Sequence, residues 1–301
     1  MTGRSEGYID VGDGRVWYES AGMGDRTLLL LHGGPGGNSE DLSPFLDLAV
    51  EGFRVVRYDQ LCSWRSEKPD DLSLWQVPRF VAEVEKVREA LDLGKVHLLG
   101  QSWGAFLAIE YALHHGERLR SLTLASGAAS TRECVAGMNF WRRELPRETQ
   151  AILAHHEANQ DYTHPNYLEA MDALYRRHFC RVQPWPEPLK RASEHMAMPV
   201  YTTMWGPNEF TCTGNLLDWD RTDRLGEITV PTLITVGEFD EVHPSCAHTL
   251  QAGIPGSRLE IFPGCGHAVH LEDHAHYRDV LLRFLDRVDA PKSLYVRTTT
   301  R

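Results

Sequence analysis

The chain has 301 residues, of which 42% are hydrophobic, and a formal net charge of −11. This length is enough for one sizeable core with an inserted subdomain. The negative charge argues against nucleic acid or an anionic membrane surface as a partner. No apolar run approaches the length of a membrane span, and the polar residues 1–10 do not resemble a secretory signal. No feature of the sequence predicts an oligomeric state.

The first part of the chain predicts strands that alternate with helices. Strands are predicted at residues 8–9, 16–19, 27–31, 54–58, 95–99 and 121–125, of which the first two form a hairpin. A helix is predicted at residues 75–91, with Pro78 in its first turn and Gly94 past its end, and a second helix follows residue 102. Such alternation is typical of the α/β class with a mostly parallel, doubly wound sheet.

The pattern changes near residue 131. From there to residue 223 we predict helices and no strand, with a proline-rich break at residues 183–188. The predicted helix at residues 167–179 places four apolar side chains on one face, namely Leu168, Met171, Leu174 and Tyr175. We interpret residues 131–223 as a helical cap that covers the active edge of the sheet.

Strands return after the helical segment. They are predicted at residues 232–236 and 258–262, and a final helix is predicted at 274–288. We therefore predict one core domain built from residues 1–130 and 224–301, with the cap domain of residues 131–223 inserted between its halves.

The sequence G-Q-S-W-G at residues 100–104 lies between a predicted strand and a predicted helix. A sharp strand-to-helix turn around a serine is a nucleophile elbow, and its strained backbone requires small residues at Gly100 and Gly104. The turn exposes the Ser102 hydroxyl at a helix N-terminus, where partial positive charge favours an anion. Because the motif also arises by chance, the flanking strand and helix carry the prediction that Ser102 is a nucleophile.

The sequence H-G-G-P-G-G at residues 32–37 follows the apolar strand 27–31. So many glycines fit neither a helix nor a strand, and they predict a loop whose backbone closely approaches another group. We predict an oxyanion hole formed by the backbone amide of Trp103, directly after the nucleophile, and a loop amide, that of Gly34.

A serine nucleophile needs a base to accept its proton and an acid to orient that base. The elbow motif places both partners later in the chain, acid first, in loops that follow strands. Asp240 follows the strand 232–236, and His267 follows the strand 258–262. We predict a triad of Ser102, His267 and Asp240, with Glu238 and Glu241 as alternative acids.

Cysteines and histidines do not predict a metal or another cofactor. The six cysteines are scattered without a C-x-x-C spacing, so we predict free thiols in a reducing compartment, the cytoplasm. His270 and His274 have the spacing of a helical ligand pair, but no motif supplies a third ligand. Cys265 is close to His267 in sequence, and such neighbours in a loop seldom face each other.

Six motifs distributed over residues 8–288 carry a resemblance to a known family. They are H-G-G-P-G-G at 32–37, Y-D-Q-L at 58–61, G-Q-S-W-G at 100–104, W-G-P-N-E-F at 205–210, G-E-F-D-E at 237–241 and G-H-A-V-H-L-E at 266–272. Together they resemble the proline iminopeptidase branch of the α/β-hydrolases. The resemblance implies an α/β-hydrolase fold with a helical cap. It also implies that Glu209 and Glu241 hold the free α-amine of the substrate.

An exopeptidase that acts at the N-terminus must recognise an ammonium group beside the scissile bond, and two carboxylates would do so. Alternatively, Glu209 caps a helix or pairs with an arginine such as Arg221. The chain departs from the family after residue 61, where Trp64 and Arg65 replace a glycine-rich turn. These bulky side chains are expected near the oxyanion side, where they would affect the leaving-group preference.

We therefore expect a serine hydrolase that releases an N-terminal residue, proline by preference, from short peptides or amides through an acyl-enzyme. The alternatives are an amino-acid amidase, or an esterase or lactonase that needs no amine. A non-enzymatic binding module would have no reason to keep a nucleophile, a base and an acid together. An epoxide hydrolase or dehalogenase would need an aspartate at position 102, which is Ser102 here.

Overall fold

The computed structural model describes residues 3–290, so both ends of the predicted core domain, residues 1–2 and 291–301, lie outside the described residues. An eight-stranded sheet forms the centre of the molecule. Its strands are β1 (Arg4–Asp10), β2 (Arg15–Ala21), β3 (Arg26–Leu31), β4 (Phe53–Tyr58), β5 (Val96–Gln101), β6 (Leu119–Ala125), β7 (Thr232–Gly237) and β8 (Arg258–Phe262). Among the helices of residues 3–290, none is long and apolar enough to cross a membrane.

The strands lie in the order β1-β2-β4-β3-β5-β6-β7-β8. The β1–β2 hairpin and the β2–β4 pair are antiparallel, and all later neighbours are parallel. The prediction of a mostly parallel sheet is thus confirmed. Because parallel strands end at one edge, the loops after β3, β5, β7 and β8 gather at the same edge.

Helices cover both faces of the sheet and fill the segment between β6 and β7. They are α1 (Val77–Ala90), α2 (Trp103–His115), α3 (Thr131–Arg143), α4 (Arg147–Ala158), α5 (Pro165–Leu174), α6 (Glu187–Ser193), α7 (Met198–Met204), α8 (Pro244–Gly253), α9 (Val269–Glu272) and α10 (His274–Asp289). A π-helical turn, Tyr175–Phe179, directly follows α5. Helices α3 to α7 belong to residues 131–223, which we continue to call the cap.

The central strands are buried on both faces. In β3, Leu29 and Leu31 pack into one apolar cluster, whereas Leu28 and Leu30 pack into the cluster on the opposite face. This alternation explains why the β3 sequence is apolar throughout. Truncating one of these leucines to alanine would cost about 2–5 kcal/mol of stability. The carboxyl ends of the strands are thus anchored by packing on both faces of the sheet.

The structure differs from the predicted helices at two places. Helix α1 begins at Val77 instead of residue 75, because Trp75 ends a 3-10 turn and is itself buried. Leu168 was predicted on the buried face of its helix, but it is 54% exposed. That helix buries Tyr167 instead, together with Ala170, Met171 and Leu174, and the Tyr167 hydroxyl accepts a hydrogen bond from Asn208 Nδ2 at 2.8 Å.

Candidate active site

Ser102 lies at the turn between β5 and α2 with a φ of 55° and a ψ of −123°. The turn is so tight that a Cβ on Gly100 would lie 2.0 Å from the Gly104 carbonyl oxygen. A Cβ on Gly104 would lie 2.1 Å from the carbonyl oxygen of Leu31 in the neighbouring strand. Both positions therefore require glycine, and the strained serine backbone expected of an elbow is present.

The structure brings His267 and Asp240 together. His267 Nδ1 lies 2.7 Å from Asp240 Oδ1, and both side chains are buried. Of the two alternative acids, Glu238 is exposed and accepts a hydrogen bond from the Gly264 amide, whereas Glu241 Oε1 lies 3.7 Å from the other ring nitrogen, Nε2. Only Asp240, among the three carboxylates, has the position of an orienting acid.

Two cavities meet at Ser102. The smaller one is lined mainly by apolar side chains, including Trp103, Phe106, Cys134, Met138, Trp205 and Leu216, together with Glu209 and Glu241. The larger one is lined by the glycine loop, by His267 and by cap residues such as Tyr175, Phe179, Trp185 and Leu189. Ser102, Gly34 and Glu209 line both cavities, so the two cavities adjoin each other at these residues.

Glu209 and Glu241 bring two carboxyl groups into the smaller cavity. Burial raises the pKa of both groups, because water no longer solvates their charges. Glu241 Oε2 has no hydrogen-bond partner within residues 3–290. Glu209 lies in a turn outside the helices, and Arg221 pairs with Glu110 Oε1 at 2.7 Å, so neither alternative for Glu209 is realised.

The same carboxyl groups act on His267. Burial alone would lower the pKa of this imidazole, but Asp240, Glu241 and Glu209 outweigh the burial and raise it to about 10. The carboxylates thus favour the protonated ring in the free protein. A cation bound between Glu209 and Glu241 would cancel part of that effect and favour the neutral ring, which is the form that can accept a proton.

Gly34 and Trp103, whose amides are predicted to form the oxyanion hole, line the smaller cavity together with Ser102. Trp103 is the first residue of α2, and amides in the first turn of a helix have no acceptor within the helix. The glycine loop also touches Ser102, since a Cβ on Gly33 would lie 3.1 Å from the serine Cβ. The indole of Trp103 donates to Gln60 Oε1 at 2.9 Å, which ties the elbow to the loop after β4.

A pair of cap residues holds the loop of the acid, and sequence reasoning did not identify them. Trp141 Nε1 donates to the carbonyl of Asp240 at 2.7 Å, and His178 Nδ1 donates to the carbonyl of Phe239 at 2.8 Å. The two rings stack with centroids 4.5 Å apart. Burial lowers the pKa of His178 to about 4, so the ring is neutral near neutral pH and donates from one nitrogen.

His178 belongs to the π-helical turn Tyr175–Phe179, and the backbone of this turn connects the loop of Asp240 to the loop of His267. The carbonyl of His178 accepts hydrogen bonds from the amides of Glu241, at 3.1 Å, and of His267, at 2.9 Å. The Phe179 carbonyl accepts one from the amide of Ala268 at 2.9 Å. π-Helical turns occur frequently at functional sites, and this one fixes the spacing of the two loops. The only sequence signal was the abundance of Trp and His in the cap.

Trp64 and Arg65 do not lie where they were expected, because neither lines a cavity at Ser102. The Arg65 guanidinium binds Asp59 Oδ2 at 2.9 Å and Glu40 Oε2 at 2.6 Å. The Trp64 ring stacks on His195 of the cap with centroids 4.1 Å apart. The departure from the family pattern therefore joins the core to the cap, and the expected effect on the leaving group lacks a contact to support it.

The histidine pair considered for a metal diverges. His274 Nε2 lies 3.2 Å from Asp47 Oδ2, whereas His270 Nε2 faces Asp41 at 3.9 Å. In the described part of the chain, no group of three or more His, Cys, Asp or Glu side chains is arranged to hold a metal ion. The six cysteines form no disulfide with one another, and burial raises the pKa of Cys265 to about 11, which keeps its thiol protonated.

Comparison with known proteins supports one family. The family model of the alpha/beta hydrolase fold matches residues 26–274. A proline iminopeptidase of Saccharolobus solfataricus is 39% identical over 287 residues, which are 94% of this chain and 93% of that protein. The crystal structure of a proline iminopeptidase from Mycobacterium smegmatis matches with a TM-score of 0.89 at 37% identity, over 95% of this chain and 99% of that one.

The crystal structure of VinJ matches equally well, with a TM-score of 0.91 at 34% identity over 94% of this chain and 99% of that one. These matches span nearly the whole chain and include both the sheet and the cap. The chain therefore belongs to the α/β-hydrolase fold family and, within it, to the proline iminopeptidase family.

Proposed function

We propose that this protein is a serine aminopeptidase that releases an N-terminal proline from short peptides and amides. The observation that carries the proposal is the pair of buried carboxyl groups, Glu209 and Glu241, in a small apolar cavity beside Ser102. Burial of two carboxyl groups is costly, and His267 is the cationic side chain that the described residues place beside them, with its Nε2 3.7 Å from Glu241 Oε1. A cationic ligand bound between the two carboxyl groups would offset this cost and leave His267 free to act as a base. The free α-amine of a peptide is such a group.

The proposed reaction begins when His267 removes the proton of the Ser102 hydroxyl and the oxygen attacks the carbonyl carbon of the scissile bond. Asp240 holds the imidazole through Nδ1 and stabilises its positive charge. The amides of Trp103 and Gly34 stabilise the oxyanion. His267 then protonates the leaving amine, and the acyl-enzyme is hydrolysed by water, which His267 activates in the same way.

The apolar lining of the smaller cavity favours proline. The N-terminal residue would lie among Trp103, Phe106 and Trp205, which suit a compact apolar ring. The secondary ammonium of an N-terminal proline carries two N–H donors, one for each carboxyl group.

Binding of the amine also favours the neutral form of His267, which is the form that can accept a proton. In the free protein the carboxylates favour a protonated His267. An ammonium between Glu209 and Glu241 neutralises their effect and releases the imidazole proton, so the substrate itself promotes the active form. This coupling explains how a histidine surrounded by carboxylates can act as a base. We further propose that the enzyme works in the cytoplasm, where its free thiols stay reduced.

The proposal is tested with proline, alanine and N-acetyl-proline anilides, together with an ester that has no amine. We expect turnover of the proline anilide, weaker turnover of the alanine anilide and almost none of the N-acetylated substrate. Equal turnover of proline and alanine anilides would indicate an amino-acid amidase. Equal turnover of the free and N-acetylated proline anilides would refute the amine site and favour an esterase.

A further inference from the structure

The larger cavity contains a second pair of polar side chains that the proposed reaction does not use. Asp41 follows the glycine loop, and His270 lies in α9, three residues after His267. Both line the larger cavity together with Ser102. His270 Nε2 lies 3.9 Å from Asp41 Oδ2, which is too far for a hydrogen bond between them.

Each of the two groups keeps one polar atom that the protein does not satisfy, although both also have hydrogen bonds to the backbone. Within the described chain, His270 Nε2 and Asp41 Oδ1 are buried atoms without a hydrogen-bond partner. His270 is only 3% exposed, and its ring is held by stacking on Phe45 with centroids 5.7 Å apart. Buried polar atoms normally have partners, so unpaired atoms at a cavity wall indicate a site for a polar ligand.

The larger cavity is the place for the leaving group. If the N-terminal residue occupies the smaller cavity with its amine on Glu209 and Glu241, the scissile bond lies at Ser102 and the remaining peptide extends into the larger cavity. The chain of that peptide offers N–H donors and C=O acceptors. The backbone of Asp41 binds the N–H of the neutral His270 ring, so the unpartnered Nε2 is an acceptor. Together with the Asp41 carboxylate it complements the N–H donors of such a chain.

We propose that Asp41 and His270 form a subsite that binds the main chain of the leaving peptide through its amide groups. The subsite, which rests on the proposed aminopeptidase function, selects a leaving group that continues as an amide over one that ends in a free carboxylate. Asp41 is the reason for this selection, since a terminal carboxylate beside it would be repelled.

Burial supports the roles of the two groups. It lowers the pKa of His270 to about 3, so the imidazole is neutral under assay conditions. Burial raises the pKa of Asp41 to about 7, so at mildly alkaline pH the group is mostly ionised and repels a carboxylate. His267 lowers both pKa values by its charge, which agrees with a location of the pair next to the reaction centre.

The test compares leaving groups within each protein. The substrates are prolyl-alanine amide, the dipeptide prolyl-alanine and proline methyl ester, and the variants are Asp41→Asn and His270→Phe, which keep shape and ring stacking. At mildly alkaline pH the native protein should prefer the amide to the dipeptide in kcat/KM. Asp41→Asn removes the charge that repels a carboxylate and should reduce the ratio of amide to dipeptide by about fivefold. His270→Phe removes one hydrogen bond and should reduce the ratio of amide to methyl ester by about fivefold.

The chain offers a matched control, because His274 and Asp47 form a similar pair at the surface outside both cavities. Asp47→Asn and His274→Gln should leave the ratios unchanged. Ratios that stay native in Asp41→Asn and His270→Phe would overturn the subsite, even if the native protein cleaves every prolyl substrate. A native protein that cleaves none of the prolyl substrates would refute the proposed function itself. Because ratios are independent of the folded fraction, the isosteric Asp41→Asn tests the subsite even if His270→Phe is poorly folded.

Discussion

Ser102, Asp240 and His267 each follow a strand at the carboxyl edge of the sheet, whereas the cap reaches the same site with side chains that follow no strand. The core residues are fixed by a rigid, doubly buried sheet. The cap contributes Glu209 to the smaller cavity and holds the acid loop through Trp141 and His178. On this comparison the core supplies the proposed chemistry and part of the selection, through Glu241, and the cap adds Glu209 to the selection and aligns the acid loop.

The largest effect is expected when the proposed nucleophile, which the core supplies, is removed. Ser102→Ala should lower turnover by roughly four or more orders of magnitude on every substrate, because no other group can form the acyl-enzyme. The fold should persist, since the variant keeps the elbow glycines. A serine-directed phosphonate should label the native protein at Ser102 and leave the variant unlabelled. Appreciable turnover by the variant would show that the proposed nucleophile is wrong.

A smaller and more selective effect is expected when the cap loses its carboxyl group. Glu209→Gln keeps the shape and removes the charge that would bind the ammonium, and loss of one partner of a buried charge pair costs about 2–5 kcal/mol. We therefore expect kcat/KM for proline anilide to fall by at least about tenfold. Hydrolysis of an ester without an amine should be retained.

The matched control for this variant is Glu238→Gln, which changes an exposed glutamate close to the acid in sequence. It should leave both substrates unaffected. If Glu209→Gln slowed the ester as much as the anilide, the residue would support the triad and would not select the amine.

The third prediction concerns the alignment of the acid loop. Trp141→Phe keeps an aromatic ring for the stack on His178 but removes the N–H that donates to the Asp240 carbonyl. A net hydrogen bond contributes about 0.5–1.5 kcal/mol, so kcat should fall about three- to tenfold for esters and amides alike, with little change in KM.

Trp219→Phe removes a comparable N–H in the cap, which donates to Glu110 Oε1, a residue that lines neither cavity. The variant keeps an aromatic ring for the stack on Phe106, which lines the smaller cavity. This control is expected to lower the melting temperature without lowering kcat. An equal loss of kcat in both variants would mean that Trp141 acts only through the stability of the cap.

The sequence predicted the core better than the cap for a physical reason. Strands of a parallel sheet have apolar runs of a defined length, and the residues that follow them reach one edge, so Ser102, Asp240 and His267 could be selected from local patterns. The contact of Trp141 with Asp240 joins residues 99 positions apart and has no local pattern. Glu209 was recognised only through family resemblance.

Errors at individual residues have the same origin. Leu168 fits an apolar stripe, but its helix buries the face with Tyr167, whose hydroxyl contacts Asn208, a residue distant in sequence. The position of Trp64 and Arg65 after β4 predicts that they lie near the oxyanion side. The orientation of their side chains depends instead on His195 and on a cluster of buried charges. Helical amphipathicity predicts which face of a helix is apolar, and tertiary contacts then decide which side chains on it are buried.

The smallest expected effect is a shift of a pH profile. It separates the two proposed roles of Glu241, which are to bind the substrate amine and to raise the pKa of His267. His267 must be neutral to act as a base, so kcat/KM for an ester without an amine should rise as pH increases through the His267 pKa of the free protein. Burial lowers this pKa, but Asp240, Glu241 and Glu209 together raise it to about 10. Glu241→Gln removes one of these charges, so the rise in kcat/KM should move to lower pH.

At neutral pH the Glu241→Gln variant should consequently hydrolyse this ester faster than the native protein, although it cleaves proline anilide more slowly. Burial lowers the pKa of His270 to about 3, so this ring does not titrate near neutral pH. Burial raises the pKa of Asp41 in the same cavity to about 7, so Asp41 titrates in both proteins and the effect of Glu241 is read from the difference between their profiles. A pH profile measured with both substrates tests this expectation. If the ester profile of the variant stayed in place or moved to higher pH, Glu241 would not raise the pKa of the base, and activation of His267 by the substrate amine would be refuted.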